Sequence, residues 1–407
     1  MTDARKPRPG VPAPNSPSGN DTPSDDLRRE IFARADTIVL KVGTRVVTHS
    51  GGILNHDRIG LLAEELHALR SAGKRVVLVS SGAVGAGMST LGLTSRPTDL
   101  AQLQAVAAVG QTKLMDAYDR VLARFGYHSG QVLLTADDVN DRARYLNVRN
   151  TLHSLLRFNA IPIINENDTV SVEELMTTFG DNDRLAAMVA SLLRAQLLII
   201  FSDVDGLFDG DPSLSSSRII STVATIDATV QSYVRDKKTG LSKGGMASKL
   251  EAARICTTAG ENVIIANGHA TGVIQSIIDG KPVGTLFVAQ GNSLSPLQRW
   301  IGFSARPRGK VVVDEGACRA LIRNGKSLLA AGILDVEGDF RKGDVISICD
   351  ESQEPLARGL SNYGAADIQR IKGLKSTRIA QVLGHRPYEE VVHRDNLAVV
   401  RKLTAKQ

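Results

Sequence analysis

The sequence predicts an α/β protein: a doubly wound, mainly parallel sheet sandwiched by helices, followed by a small β-rich domain. Three observations lead there. From Thr37 to Ile265 short apolar runs alternate with helical apolar stripes, the pattern of strands covered on both faces by crossover helices. Four of those runs end in small and polar residues, at the edge where open α/β sheets bind ligands. After Ser304 the texture changes to short strand-like pieces separated by Gly and charge. A chain of 407 residues is long enough for two or three domains that each bury a core.

Residues 1–30 are dominated by Pro, Ser, Asp, Arg and Gly, so the segment 1–35 is expected to be a disordered tail with no catalytic part. Residues 36–295 form the main domain, with strands expected at Thr37–Val42, Arg75–Val79, Gln131–Leu134, Ile161–Ile164, Leu197–Phe201 and Asn262–Ile265. Between them, Ile59, Leu62, Leu66 and Leu69 make one helical stripe. Tyr145, Val148, Leu152 and Leu155 make a second, and Leu185, Met188, Val189 and Leu192 a third. Residues 296–307 are expected as a linker. Residues 308–400 are expected as the small domain, with strands at Lys310–Val313, Ile333–Val336, Asp344–Ile348 and Leu397–Val400.

Composition removes several classes of function. The most apolar run, Val189–Phe201, is interrupted by Arg194 and Gln196, so no membrane span is expected. The amino terminus has no apolar h-region and no secretory signal is expected. Cys256, Cys318 and Cys349 are too few for a disulfide framework and lack metal-ligand spacing; they read as small core hydrophobes in a reducing, cytoplasmic setting. The histidines form no HExxH motif, and no protein metal site is expected. Charge is uneven: residues 36–305 balance 25 Lys and Arg with 25 Asp and Glu, whereas residues 306–407 hold 18 against 13. The basic surplus therefore belongs to the small domain.

Several residues need a chemical reason. Lys41 stands near the end of an apolar strand, where its charge must snorkel out or meet a partner. Aimed at the ligand edge and followed by the bare backbone of Gly43, it suits a phosphate. Ser80-Ser81-Gly82-Ala83-Val84-Gly85-Ala86-Gly87 is a glycine-rich strand-to-helix turn. Anion binding and tight packing would demand the same glycines. Gly180-Asp181-Asn182-Asp183 opens a helix. Capping accounts for one acid, and recognition of an ammonium or orientation of lysines accounts for two; the residues alone leave both open. Lys243-Gly244-Gly245-Met246-Ala247-Ser248-Lys249 leads into another helix. Lys249 in its first turn opposes the macrodipole by a few tenths of a kcal/mol or so, which makes sense if an anion sits there too. Gly325-Lys326-Ser327 and Asp203-Val204-Asp205-Gly206 imitate a P-loop and a calcium loop, but each lacks a defining residue.

Taken as an ordered set, Lys41-Val42-Gly43-Thr44, Ser80-Ser81-Gly82-Ala83, Ile164-Asn165-Glu166-Asn167-Asp168, Gly180-Asp181-Asn182-Asp183 and Gly244-Gly245-Met246 with Lys249 resemble the amino acid kinase family, and within it the glutamate 5-kinases. Farther on, Ser327–Ile333, Gly338-Asp339-Phe340 and Val392-His393-Arg394-Asp395 are similar to a PUA domain. The resemblance implies ATP-dependent phosphorylation of the L-glutamate γ-carboxylate to glutamyl 5-phosphate, the first step of proline biosynthesis. It implies Lys41 and Lys249 on the transferring phosphoryl group and Asp183 holding both. Ser81, Asp168 and Asn182 are implied on glutamate. Lys41, Ser202, Asp203 and the loop Lys243, Gly244, Gly245, Met246, Ala247, Ser248, Lys249 are implied on ATP. Lys243 departs from the small residue usual in that loop. Mg2+ is expected on the ATP phosphates, with homo-oligomeric assembly; Thr169–Phe179 falls in the loop that members of the family use for glutamate and for feedback inhibition by proline. Two alternatives remain: an amino acid kinase acting on another carboxylate, and an RNA-binding protein acting through the basic small domain.

Overall fold

The computed structural model describes residues 23–170, 182–234, 245–290, 294–384 and 388–400. The main sheet comprises β1 (Thr37–Val42), β2 (Arg75–Ser80), β3 (His128–Leu134), β4 (Ala160–Glu166), β5 (Leu197–Ser202), β6 (Thr222–Val223), β7 (Asn262–Asn267) and β8 (Thr285–Phe287). Their spatial order is β3-β4-β2-β1-β5-β7-β8-β6. Every pairing in it is parallel except β7 with β8. The six expected strands are all present, with bounds that differ by up to three residues. Sequence reading missed β6 and β8, which are too short to carry a periodic signal.

The central strands are apolar because both faces are covered. β1 and β5 are buried at every position. On one side Ile59, Leu62, Leu66 and Leu69 of the helix His56–Ser71 join Ile38, Leu40 and Val76. On the other, the helices Arg142–Arg157, Asn182–Leu193 and Met246–Ala259 pack on Val39, Val77 and Ile200. The helix Asn182–Leu193 is buried all round except at Arg184, so it is a central element, more enclosed than its apolar stripe suggested.

Two boundary expectations change. The first concerns the tail, because Pro23–Arg34 is a helix within the segment expected to be disordered. Ile31, Phe32 and Ala35 enter the core. Arg28 is buried and donates to the carbonyls of Val283 (2.8 Å), Ser221 (2.6 Å) and Gly284 (3.3 Å). Composition averaged over the whole segment hid this short apolar face, and the acceptors that anchor Arg28 are remote in sequence. The second concerns residues 296–307. Ser295 and Gln298 form a capping box that starts the helix Pro296–Arg299, which runs into a π-turn at Trp300–Ser304. Trp300, Ile301 and Phe303 are buried in the same core as Leu185, Val189, Val345 and Ala398. Arg299 pairs with Glu261, both almost fully buried. This segment is therefore a packed joint between the two domains.

The small domain is a second sheet built from β9 (Gly309–Val313), β10 (Ile333–Gly338), β11 (Val345–Cys349), β12 (Pro355–Leu360) and β13 (Leu397–Val399), in the order β10-β9-β11-β12-β13. β12 escaped sequence reading because Pro, Arg and Gly interrupt its apolar pattern. Val311, Val313, Ile346, Ile348 and Leu356 form its own core with Ile368 and Ile371 of the helix Ala365–Ile371. No helix among the described residues is long and apolar enough to cross a membrane.

Candidate active site

Parallel register brings the strand ends together. Val42 lies opposite Ser80 of β2 and Phe201 of β5, while Ser202 lies opposite Asn267 of β7. Gly43, Ser81, Asn167 and Asp203 therefore all begin loops on one edge. Backbone hydrogen bonds tie the loop starts to it, Gly43 N donating to Phe201 O (3.3 Å) and Ser81 N to Val42 O (3.1 Å).

At this edge Asp183 joins the two lysines. Its Oδ1 is 2.5 Å from Lys41 Nζ and its Oδ2 is 3.2 Å from Lys249 Nζ, with side-chain exposures of 0%, 3% and 6% for Asp183, Lys41 and Lys249. Ser248 Oγ donates to Asp183 Oδ2 as well (3.1 Å). Three elements supply these groups: the end of β1, the first turn of Asn182–Leu193 and the first turn of Met246–Ala259. Burying two ammonium groups in apolar surroundings is tolerable because a carboxylate meets each of them. The three charged side chains sum to one positive charge, and two helix amino termini converge on the same point. An anion is favoured there by both. A Cβ placed on Gly43 would lie 3.6 Å from Lys41 Nζ, so glycine leaves open the space beside the ammonium.

An amide network adjoins the lysines. Asn182 Nδ2 lies 2.9 Å from each of three oxygens: Ser80 O, Ser81 Oγ and Asn165 Oδ1. Asn165 in turn donates to Gln111 Oε1 (2.9 Å). Ser80 Oγ pairs with Tyr118 OH at 2.8 Å. Asp168 stands half-buried in the turn after β4, where Thr169 Oγ1 donates to Asn167 Oδ1 (2.6 Å). Of the expected substrate residues, Ser81 and Asn182 touch directly, and Asp168 lies three residues beyond Asn165, the partner of Asn182. Most of Thr169–Phe179, the segment that the resemblance linked to glutamate and proline, lies outside the described residues, as do Gly180 and Asp181.

The glycine-rich turn serves two purposes. Gly82 has φ +112° and its added Cβ would lie 3.0 Å from Val47 Cγ2, so glycine is required to turn the chain into the helix Ala83–Thr90. Gly87 is needed for packing: a Cβ there would fall 1.9 Å from Val106 O. The reciprocal contact is Gly110, whose Cβ would lie 1.8 Å from Ala83 O. These small residues let the helices Ala83–Thr90 and Leu100–Ala123 pack backbone to backbone.

On the β5 side, Ser202 Oγ donates to Asp203 Oδ1 (3.1 Å), and Arg45 Nη1 lies 2.5 Å from Asp203 Oδ2. Partial burial pushes the Asp203 carboxyl up, but Arg45, its own backbone N–H and Ser202 together hold it below the usual carboxylate range. Gly245 is the N-cap of the helix begun by Met246, Ala247, Ser248 and Lys249. Lys243 and Gly244 lie outside the described residues. Sequence reading missed Gln111, Tyr118 and Arg45. The first two stand seven residues apart on one face of Leu100–Ala123, and two polar side chains on a buried face were the available signal.

Residues 36–267 match the model of the amino acid kinase family, and residues 309–383 match that of the PUA domain. The chain belongs to the amino acid kinase family. It is 46% identical over 373 residues to a glutamate 5-kinase of Rhodopirellula baltica, spanning 92% of this chain and 96% of that protein. Glutamate 5-kinases of Caldanaerobacter subterraneus and Moorella thermoacetica are each 44% identical, over 90% and 91% of this chain and 98% of each of theirs. The fold and its trailing β-rich domain thus agree with the family that the motifs resembled.

Proposed function

We propose that this chain is an ATP-dependent glutamate 5-kinase, which phosphorylates the γ-carboxylate of L-glutamate to glutamyl 5-phosphate in the first step of proline biosynthesis. The observation that carries the reading is Asp183 bridging Lys41 and Lys249 at the ligand edge of the sheet. Phosphoryl transfer asks mainly for in-line positioning and for cations on the transferring oxygens. Lys41 and Lys249 supply those cations, Asp183 fixes their placement, and the two helix starts add their positive ends. The glutamate γ-carboxylate is ionised near neutral pH and attacks the γ-phosphorus of ATP without a general base. The bond to the β–γ bridging oxygen breaks, and ADP leaves.

In this reading Ser81, Asn182 and Asp168 hold glutamate, while Ser202, Asp203 and the loop 243–249 hold ATP. Magnesium carried on the ATP phosphates would supply neutralisation of the charge that develops in transfer. Among the described residues no three ligating side chains are gathered to hold a metal ion; the lysines and helix starts are this chain's part in sharing the phosphate charge. The test is an assay with ATP, magnesium, hydroxylamine and glutamate. Glutamyl hydroxamate should accumulate. ADP release with N-acetylglutamate or aspartate, and none with glutamate, overturns the reading.

A further inference from the structure

We infer that Gln111 binds the amino-acid substrate, donating from its side-chain amide to the carboxylate that is not phosphorylated; the inference rests on the glutamate kinase reading and deepens it. Gln111 is 7% exposed. Its Oε1 accepts from Asn165 Nδ2 (2.9 Å), but its Nε2 is enclosed without a hydrogen-bond partner. The amide cannot be turned to relieve this. Glu166 N–H (2.9 Å) and Asn182 Nδ2 (2.9 Å) both approach Asn165 Oδ1, so the other end of Asn165 must be its NH2. That group needs an acceptor, which fixes Gln111 Oε1 toward Asn165 and leaves Nε2 facing away. A chain of hydrogen bonds that starts at the Glu166 backbone N–H thus orients a buried donor whose acceptor is missing. Such a donor costs stability and calls for an explanation.

Its position supplies one. Gly110 brings the helix Leu100–Ala123 against Ala83 O, directly at the Ser81–Gly82 turn. Gln111 follows Gly110, and two helical turns later Tyr118 reaches Ser80. Gln111 therefore adjoins the residue packed against the start of the helix that follows Ser81, and is linked through Asn165 to Asn182, which in turn bonds Ser81. Strand order decides which end of the substrate it meets. Asn165 is on β4, whereas Lys41 is on β1, with β2 between them. The phosphorylated carboxylate must lie by the lysines, so the α-carboxylate and α-ammonium extend toward β4. There Gln111 offers a donor to the carboxylate, and two acids, Glu166 at the end of β4 and Asp168 on the turn that follows, stand for the ammonium.

The experiment measures steady-state kinetics of Gln111→Glu and Gln111→Met beside the unsubstituted chain. Gln111→Glu keeps the shape and an acceptor for Asn165 but removes the amide donor; Gln111→Met removes both polar atoms. Both variants should raise the KM for glutamate by about 10- to 100-fold, the range for losing a hydrogen bond to a charged group. Turnover should stay within about threefold and the KM for ATP should be unchanged, because the contact is remote from the transferring group. An unchanged KM for glutamate in both variants overturns the inference. So does a joint fall of turnover, ATP affinity and thermal stability without a selective rise in glutamate KM, which is what a purely structural glutamine would produce. Failure of the unsubstituted chain to use glutamate would instead overturn the underlying reading.

Discussion

Replacing Asp183 by Asn keeps the shape of the side chain and removes its charge. In the native arrangement Lys41 takes one carboxylate oxygen (2.5 Å) and Lys249 the other (3.2 Å). An amide offers an acceptor to one ammonium and a donor to the other, so one buried lysine loses its bond and both lose the neutralising charge. Removing one partner of a buried ion pair costs about 3–5 kcal/mol. At roughly 2–4 °C per kcal/mol for a large domain, the melting temperature should fall by roughly 6–20 °C. Turnover should fall by on the order of 10²–10³, as for loss of one preorganised charge-stabilising donor. Lys249→Met alone should lower turnover by a similar factor. Adding Lys249→Met to Asp183→Asn should recover part of the lost stability, because it removes one of the two facing ammonium groups. Calorimetry and hydroxamate kinetics on the three variants measure both effects. A melting temperature for Asp183→Asn within about 2 °C of the unsubstituted chain, or turnover within about fivefold, would refute the reasoning.

Gly110→Ala places a methyl 1.8 Å from Ala83 O and 2.4 Å from Gly87 N, so backbone must move. It should cost about 1–3 kcal/mol and raise glutamate KM through the displaced Gln111. Gly60→Ala, in a helix where an added Cβ meets nothing within 4 Å, is the control and should be neutral or stabilising in thermal melts. Burial pushes the Cys256 thiol from 9.0 up to about 12. Burial likewise raises the Tyr118 phenol from 10.0 to about 12, against the opposing Ser80 hydrogen bond. Both groups are protonated in the folded state at a pH where the unfolded chain releases their protons. Their contribution is therefore intact below about pH 9 and should be lost progressively from about pH 9 to pH 12, by up to about 1.4 kcal/mol per pH unit for each. Urea titrations at increasing pH measure this slope, and Cys256→Ala should make it shallower. A flat profile to about pH 11 would contradict it.

The strands were legible because both-face burial imposes continuous apolar runs, and β1 and β5 were readable for that reason. The lysines were legible for the opposite reason: Lys41 and Lys249 offend local rules of burial and helix polarity, and each offence required a partner. What sequence reading mistook lay where composition averages over a mixed segment. Pro23–Arg34 has only Leu27, Ile31 and Phe32 among charged neighbours, and Arg28 finds its acceptors on loops far along the chain. Trp300 and Phe303 could have signalled the joint at 296–307, but two aromatics in a short span have no readable period.

By itself the sequence determined the alternation of elements, the polar edge of the sheet and the charged and amide residue types gathered along it. Those properties are local, written in periodicity and in side-chain chemistry. Tertiary structure alone decided that one carboxylate serves two lysines, that Gly87 and Gly110 bring two helices to backbone contact, and that the Gln111 amide meets Asn165 of β4. Such relations depend on distances between residues remote in the chain. Only the strand order β4-β2-β1-β5, and the packing that follows from it, sets those distances.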